Sequence, residues 1–381
     1  MNRFENVIAK IKQMYGKERD FIPLHEPLFI GNEKKYLMDC IDSTFVSSVG
    51  VYVNEFEKKI VELTGVKHAI AVVNGTAALH LSLIVAGVEK DDIVVSQSLS
   101  FVATANAIKY TGATPYFIDI DRENLGLSVE SLKSFLSNVE MVKGKAIHIP
   151  TRKKVGAVVP MHTFGFPVKI DEIVELCSRY DIPVIEDAAE SLGSSYKGKH
   201  TGTFGLLGTY SFNGNKTITS GGGGIIVTND DKIAKLTKHL STQSKMPHKW
   251  EYRHDMLGYN YRCPNLNAAL ACAQLEQLDK FIQNKRETAK EYAQFFATTQ
   301  IQHIQEQENS VSNYWLNAIL LESEDDRNTF LKETNENGVM TRPVWTLLHR
   351  LDFLSDALSD NLENSIFIEK HLVNIPSSVR L

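Results

Sequence analysis

Three short segments carry side chains whose types and settings could do chemistry. The first is Ser211-Phe212-Asn213-Gly214-Asn215-Lys216, which ends an apolar run and leads into Thr217 to Ser220 and four glycines, Gly221 to Gly224. A lysine in that setting is either a surface loop residue or an amine held away from water. A desolvated lysine can lose its proton and attack an aldehyde, forming a Schiff base. The glycines would let the backbone turn tightly beside a bound group. They could also form a dinucleotide loop, but they lack the G-x-G-x-x-G spacing and precede the apolar run Ile225 to Val227 instead of opening a helix.

The second segment is Glu186-Asp187-Ala188-Ala189, directly after the apolar Pro183-Val184-Ile185. In open α/β sheets ligands bind outside the carboxyl ends of the strands, so Asp187 would face a site. The plainer alternative is a helix cap or loop acid. The third segment is Asn74-Gly75-Thr76-Ala77-Ala78-Leu79. Glycine and a hydroxyl residue at a helix start present free N–H groups and a dipole to an anion, although an ordinary capped helix has the same pattern. A phosphate cup, a carboxylate and a lysine, each at a strand end, are together what a pyridoxal phosphate (PLP) site requires.

The surrounding elements can place those ends side by side. From about residue 55 to 230, short apolar runs alternate with helical patterns. Strands are expected at 69–73, 93–95, 115–118, 155–159, 183–187, 207–212 and 225–227. Helices are expected at 77–85, around 102–109 and near 170–179. This alternation predicts an α/β fold with a mainly parallel sheet covered on both faces. After residue 230 the pattern turns helical, with a long stretch from Asn265 to Phe296 that would link two domains. A second strand and helix set is expected around Trp315 to Leu321 and Phe330 to Thr341. Phe4, Val7, Ile8, Ile11 and Met14 fall at helical spacing and predict an amphipathic N-terminal helix. The domain plan is therefore an N-terminal helix over 1–20, a large domain over 21–265 and a smaller C-terminal α+β domain over 266–381.

Bulk composition excludes several classes. The 381 residues are 43% hydrophobic and 23% charged, a soluble globular composition, and the net charge of -5 gives no reason to expect nucleic-acid binding. Lys143, Lys145, Arg152, Lys153 and Lys154 form a basic cluster expected to be a solvated loop. The four cysteines, 40, 177, 263 and 272, form no CxxC pair and no zinc-ligand spacing, so no metal site is expected. No apolar run reaches the ~18–20 residues of a membrane span, and no signal-peptide core is present. A reducing, cytoplasmic location is the expectation.

The order and spacing of five stretches resemble the DegT/DnrJ/EryC1/StrS sugar aminotransferases, within the fold-type I PLP enzymes. They are 74–79, Ser100 to Asn106, Glu186 to Glu190, Ser211 to Lys216 and Gly258-Tyr259-Asn260-Tyr261-Arg262. The resemblance runs from about residue 22 to the end of the chain. It implies that Lys216 is the Schiff-base lysine and Asp187 the partner of the pyridine nitrogen. It further implies that Gly75, Thr76 and Ser211 bind the PLP phosphate, that Phe101 stacks on the ring and that Glu190 lies near the ring hydroxyl. Many relatives carry Gln or His at the position of Glu190. Asn260 is implied to reach the phosphate of the neighbouring subunit, making a homodimer with shared active sites.

Within that family, residues 21–27, 43–50 and 341–345 are similar to the legionaminic acid and bacillosamine branches, which act on UDP-linked 4-keto-6-deoxy-N-acetylhexosamines. The expected reaction is amino transfer from glutamate to C4 of such a sugar, for surface glycan or nonulosonic acid biosynthesis. Tyr314, Arg342, Trp345 and His349, with Trp315, would line a long polar cleft with stacking faces and donors. Trp315 and Trp345 read equally well as small-domain core. Other readings stay open: a dTDP- or GDP-linked substrate, C3 chemistry, a same-fold dehydratase, or a regulatory protein on this fold. The dehydratases carry histidine where this chain has Lys216. The chain ends at Leu381, where relatives usually continue into a final helix, which would leave some small-domain surface uncovered.

Overall fold

The computed structural model describes residues 3–381. The expected strands assemble in one mostly parallel array. Leu358–Ser359, Thr114–Ile118, Ile93–Gln97 and Lys153–Val159 lie side by side and parallel. Parallel bridges at Val158–Val184 and Met161–Asp187 carry the array on to Ile185–Asp187, which pairs in parallel with Leu207–Ser211. Gly224–Thr228 runs antiparallel between Leu207–Ser211 and His68–Val72.

Alternation along these strands explains why both faces are covered. Ala69, Ala71, Ile225 and Val227 belong to the core under the helices Val51–Thr64 and Asn265–Leu275. Ile70, Val72 and Ile226 belong to the core on the other face, with the helix Gly75–Val85. Side chains two apart share a face, so a continuous apolar strand needs helices on both sides.

The register brings the three chemical segments together. Asp187 pairs with Thr209, two residues before Ser211. Ser211 pairs with Gly224, which also pairs with Val72, two residues before Asn74. The chain leaves the sheet at this common edge in all three places. Gly75 and Gly224 are required there by close approach. A Cβ on Gly75 would stand 2.9 Å from the Ser211 Cβ, and one on Gly224 would stand 2.3 Å from the Asn74 carbonyl oxygen.

The stretch from Asn265 to Phe296 forms two helices, Asn265–Leu275 and Leu278–Phe296. Beyond it lies a small antiparallel sheet of Gln302–His303, Asn317–Leu320, Leu372–Ile375 and Arg342–Pro343. The N-terminal helix Glu5–Tyr15 packs Val7, Ile8, Ile11 and Met14 into the same core as Tyr292, Phe330, Val373 and Ile375. Residues 376–381 are also held. Ser377 and Ser378 are buried, and Arg380 bonds to Thr288 and Glu291. The segment after the N-terminal helix crosses between the two halves of the chain. Ile22 donates to Gly338 and accepts from Met340, and Leu24 accepts from Ser377.

The basic stretch is a hairpin rather than a loop. Val139–Val142 pairs with Lys145–His148, and Arg152 and Lys154 bind Glu140 and Asp92 at 2.9 Å each. Alternate residues of this hairpin, Val139, Ala146 and His148, are buried, and that half-buried pattern is what the run of charges concealed. All four cysteines are buried and free. No helix among the described residues is long and apolar enough to cross a membrane.

Candidate active site

Lys216 is positioned by its own turn. Its N–H donates to the Asn213 carbonyl, and Phe212 and Ser220 close the loop through bonds to Gly223 and Phe212. The amine emerges with its Nζ 3.1 Å from Glu190 Oε1 and 4.1 Å from the centroid of the Trp315 ring. Glu190 is itself buried and accepts a second bond from the Phe164 N–H at 2.9 Å. Burial pushes its carboxyl up to about 7, against the pull of Lys216 and the Phe164 N–H, with Asp187 adding to the rise.

Asp187 lies at the end of its strand, as its place after an apolar run suggested. Thr104 donates to its Oδ2 at 2.7 Å and the Ala189 N–H to its Oδ1 at 3.2 Å. Burial raises its carboxyl above the usual range, and Thr104, Ala189, Lys216 and His162 oppose that shift in decreasing order. The direct hydrogen-bond donors to this carboxylate are neutral. A buried carboxylate in that state is stabilised by a cationic N–H donor entering from the open side.

The third component is the start of Gly75–Val85. Asn74 caps it by accepting from the Ala77 N–H at 2.8 Å. A helix start leaves its first N–H groups without intrahelical partners, so those of Gly75 and Thr76 are available to an anion. These groups surround a cavity of about 360 Å³, lined by Gly75, Thr76, Phe101, Asp187, Glu190, Ser211, Lys216, Trp315 and Trp345. An anion cup, a carboxylate needing a cationic donor and a half-shielded lysine in one cavity fit a phosphorylated pyridine aldehyde.

The comparisons agree. Residues 29–381 match the model of the DegT/DnrJ/EryC1/StrS aminotransferase family. The chain belongs to this family. It is 40% identical over 336 residues to GDP-perosamine synthase of Escherichia coli O157:H7, covering 88% of each chain. It is 39% identical to GDP-perosamine synthase of Vibrio cholerae, covering 93% of this chain and 94% of that one. Among solved structures, the aminotransferase TlmJ from Streptoalloteichus hindustanus is 25% identical with a TM-score of 0.85, covering 94% of this chain and 93% of that one. The protein is a PLP-dependent sugar aminotransferase of this family.

The remaining expected site residues fall in three places. Trp345 lines the cavity, and its ring centroid lies 6.1 Å from that of Phe101. Arg342 lines an adjoining chamber of about 430 Å³ that shares Asn215, Trp315 and Trp345 with the first cavity. Tyr314 and His349 line neither. Tyr314 is buried, its hydroxyl accepts from the Glu306 N–H at 3.1 Å, and it faces a separate depression beside Arg286. His349 Nδ1 is 2.8 Å from the Ser98 hydroxyl, which ties it to the end of the strand Ile93–Gln97. Asn260 is exposed, bridged to Thr242, and does not line this cavity.

Two residues that build the site were given no role from the sequence, Thr104 inside the matching stretch 100–106 and Asn313 outside any. Thr104 holds Asp187. Asn313 donates to the carbonyls of Glu190 and Leu192 at 2.9 Å each and accepts from the Trp315 N–H at 2.8 Å, locking the wall beside Lys216. The Trp315 indole donates to the Asn215 carbonyl at 2.6 Å. Trp315 is therefore both small-domain core and active-site wall.

Proposed function

We propose that this enzyme moves an amino group from glutamate to C4 of a UDP-linked 4-keto-6-deoxy-N-acetylhexosamine, for surface glycan or nonulosonic acid biosynthesis. The observation that carries the reaction class is Lys216, held between Glu190 and Trp315 in one cavity with Asp187. Support for the sugar comes from residues 21–27, 43–50 and 341–345, which are similar to the branches that act on such sugars. A GDP-linked 4-keto sugar is the second reading, favoured by the names of the relatives at 39–40% identity.

Bound in the cavity, PLP supplies an aldehyde for the amine and a ring that accepts electron density. The chain does the rest. Gly75, Thr76 and Ser211 would bind the phosphate. Asp187 would pair with the ring nitrogen, keeping its proton in place, while Thr104 keeps the carboxylate aimed. Lys216 would carry the proton to and from the substrate carbon as general base and then acid. Glu190 steers the amine, and the Trp315 face shields it from water.

The active unit in this reading is a homodimer. Asn260 is exposed and off its own cavity, on a segment that also exposes Trp250, Tyr252 and Leu257. We propose that it completes the partner's phosphate cup. Mixing Asn260→Ala with Lys216→Ala protomers should yield hybrid dimers with one intact site and up to about half of wild-type activity. Demonstrated hybrids without regained activity would refute the shared site.

The substrate is tested by incubating the enzyme with PLP, glutamate and a panel of UDP-, GDP- and dTDP-linked 4-keto sugars, with products identified by mass and NMR. The UDP-N-acetyl sugar should be aminated fastest and at C4. Faster amination of a GDP- or dTDP-linked sugar, or amination at C3, would overturn this assignment.

A further inference from the structure

The chamber beside the Lys216 cavity has polar groups that the chain leaves unanswered. Both ring nitrogens of His25 and the Asn374 amide nitrogen are buried without a hydrogen-bond partner, and both residues line this chamber. Leaving such groups unpaired inside a protein is costly. Arg342 stands directly opposite Asn374 on the neighbouring strand. One of its Nη atoms is taken by Asn335 and the Thr341 carbonyl.

A buried amine lies behind the Trp315 wall of the chamber. Lys285 is 1% exposed, and its Nζ donates to the carbonyls of Trp315 (3.2 Å) and Ser377, not to a carboxylate. Burial alone pushes this amine down to about 7. His25 is held well below its ordinary value, first by burial and then by the charges of Lys285 and Lys216. Among the described residues no aspartate or glutamate lines the chamber. Arg342 therefore lacks an acid partner among the described residues, and the Asn374 amide nitrogen lacks an acceptor.

We infer that this chamber is a carboxylate pocket that holds the acidic end of the amino donor, with Arg342, Asn374 and His25 as its polar anchors. The inference rests on the aminotransferase reading above and adds a place for the donor. It also gives His25 and Asn374 a role in selecting it. A donor carboxylate would neutralise Arg342 and accept from the Asn374 amide. His25 would meet it by turning its ring over, which brings a nitrogen to where a ring carbon now stands. The donor amine would then point into the Lys216 cavity, where the two chambers adjoin at Asn215, Trp315 and Trp345. A nucleotide diphosphate offers the same kind of oxygen. The chamber is closed on one side by the small sheet and suits a short dicarboxylate better than a group that must continue into a nucleoside.

The test uses the PLP-loaded enzyme with glutarate, a dicarboxylate that has no amine to transfer. Titration calorimetry should show glutarate binding, and steady-state kinetics should show it competing with glutamate and not with the keto sugar. UDP and GDP, run in parallel, should compete with the sugar and not with glutamate. Asn374→Asp keeps the shape but puts a carboxylate into the chamber. It should weaken glutarate at least tenfold and raise the glutamate KM at least ten times more than the sugar KM. Arg342→Gln, at a more exposed position, should act in the same direction and serves if Asn374→Asp does not fold. The inference is overturned if glutarate fails to compete in an enzyme that transaminates, or if either folded variant raises both KM values equally. It is also overturned if UDP or GDP displaces glutarate. An enzyme that takes up no PLP and aminates no sugar would instead bring down the functional reading itself.

Discussion

Two neighbouring cavities share a wall of Asn215, Trp315 and Trp345, yet they differ in how completely the chain satisfies them. Around Lys216 the protein answers its own charges. The lysine meets Glu190, Glu190 also meets the Phe164 N–H, and Asp187 accepts from Thr104 and Ala189. In the next chamber Arg342 bonds to Asn335 and the Thr341 carbonyl, with no acid partner among the described residues, and His25 and Asn374 keep unpaired nitrogens there. Rigid internal pairing suits a group that stays through every cycle, whereas unpaired donors suit one that arrives and leaves. The contrast predicts that lesions in the first cavity damage the chemistry for both substrates. Lesions in the second should separate one substrate from the other.

The largest expected effect is that of Lys216→Ala. Lys216 would be both the group that holds the cofactor and the one that moves the proton, so turnover should fall by ~10³–10⁴. PLP should remain bound through the cup at Gly75 and Thr76, which stopped-flow absorbance and equilibrium dialysis would show. Near wild-type turnover would remove the distinction between the two cavities.

Glu190→Gln comes next. The amide keeps the hydrogen bond to Lys216 but drops the charge, and turnover should fall by up to ~10². Its stability signature has a defined sign. Glu190 titrates at about 7 in the folded protein against an ordinary value of 4.5. The folded state therefore binds the proton more tightly than the unfolded chain. The stability this group contributes is full below about pH 4.5 and is lost as the pH rises to about 7. In cofactor-free protein the variant should flatten the fall of Tm across that window. A Tm profile in which the variant and wild type fall in parallel would mean that Glu190 is ionised throughout.

How far the sequence reveals this contrast depends on what kind of signal each residue leaves. Asp187, Ser211 and the Asn74-Gly75-Thr76 turn each follow a run of apolar residues, and a parallel sheet gathers such ends at one edge. The first cavity is therefore legible. Thr104 and Asn313 are not, because their partners lie 83 and 123 residues away in the chain and their polar side chains look like ordinary loop or helix residues. The second chamber is harder still. Arg342 and Asn374 meet only through a strand pairing, and His25 arrives on a segment threaded between 338–340 and 377–378. Tyr314 and His349 show the reverse error. Residue type suggested a stacking face and a donor, while local backbone turned one toward Glu306 and the other toward Ser98. The basic hairpin at 139–148 was hidden for a similar reason, since its buried Val139, Ala146 and His148 flank the exposed Lys143-Gly144-Lys145.

Thr104→Val gives the smallest effect and the sharpest test of how self-contained the first cavity is. Valine fills the same space, and Thr104 is 1% exposed, so packing is nearly preserved. The exchange removes the 2.7 Å bond to Asp187 Oδ2 and the 3.0 Å contact with the Ser100 hydroxyl. A bond to a charged group is worth ~1.5–3 kcal/mol, but the Ala189 N–H still holds the other carboxylate oxygen, so about a tenfold loss of turnover is expected. Because Asp187 would act on the cofactor and not on either substrate, both half-reactions should slow by the same factor, with the KM ratio of donor to sugar unchanged. Release of PLP on dilution should quicken, and Thr104→Ser should restore both properties. Should Thr104→Val instead raise the glutamate KM alone, the two cavities would act as one donor site and the contrast between them would fail.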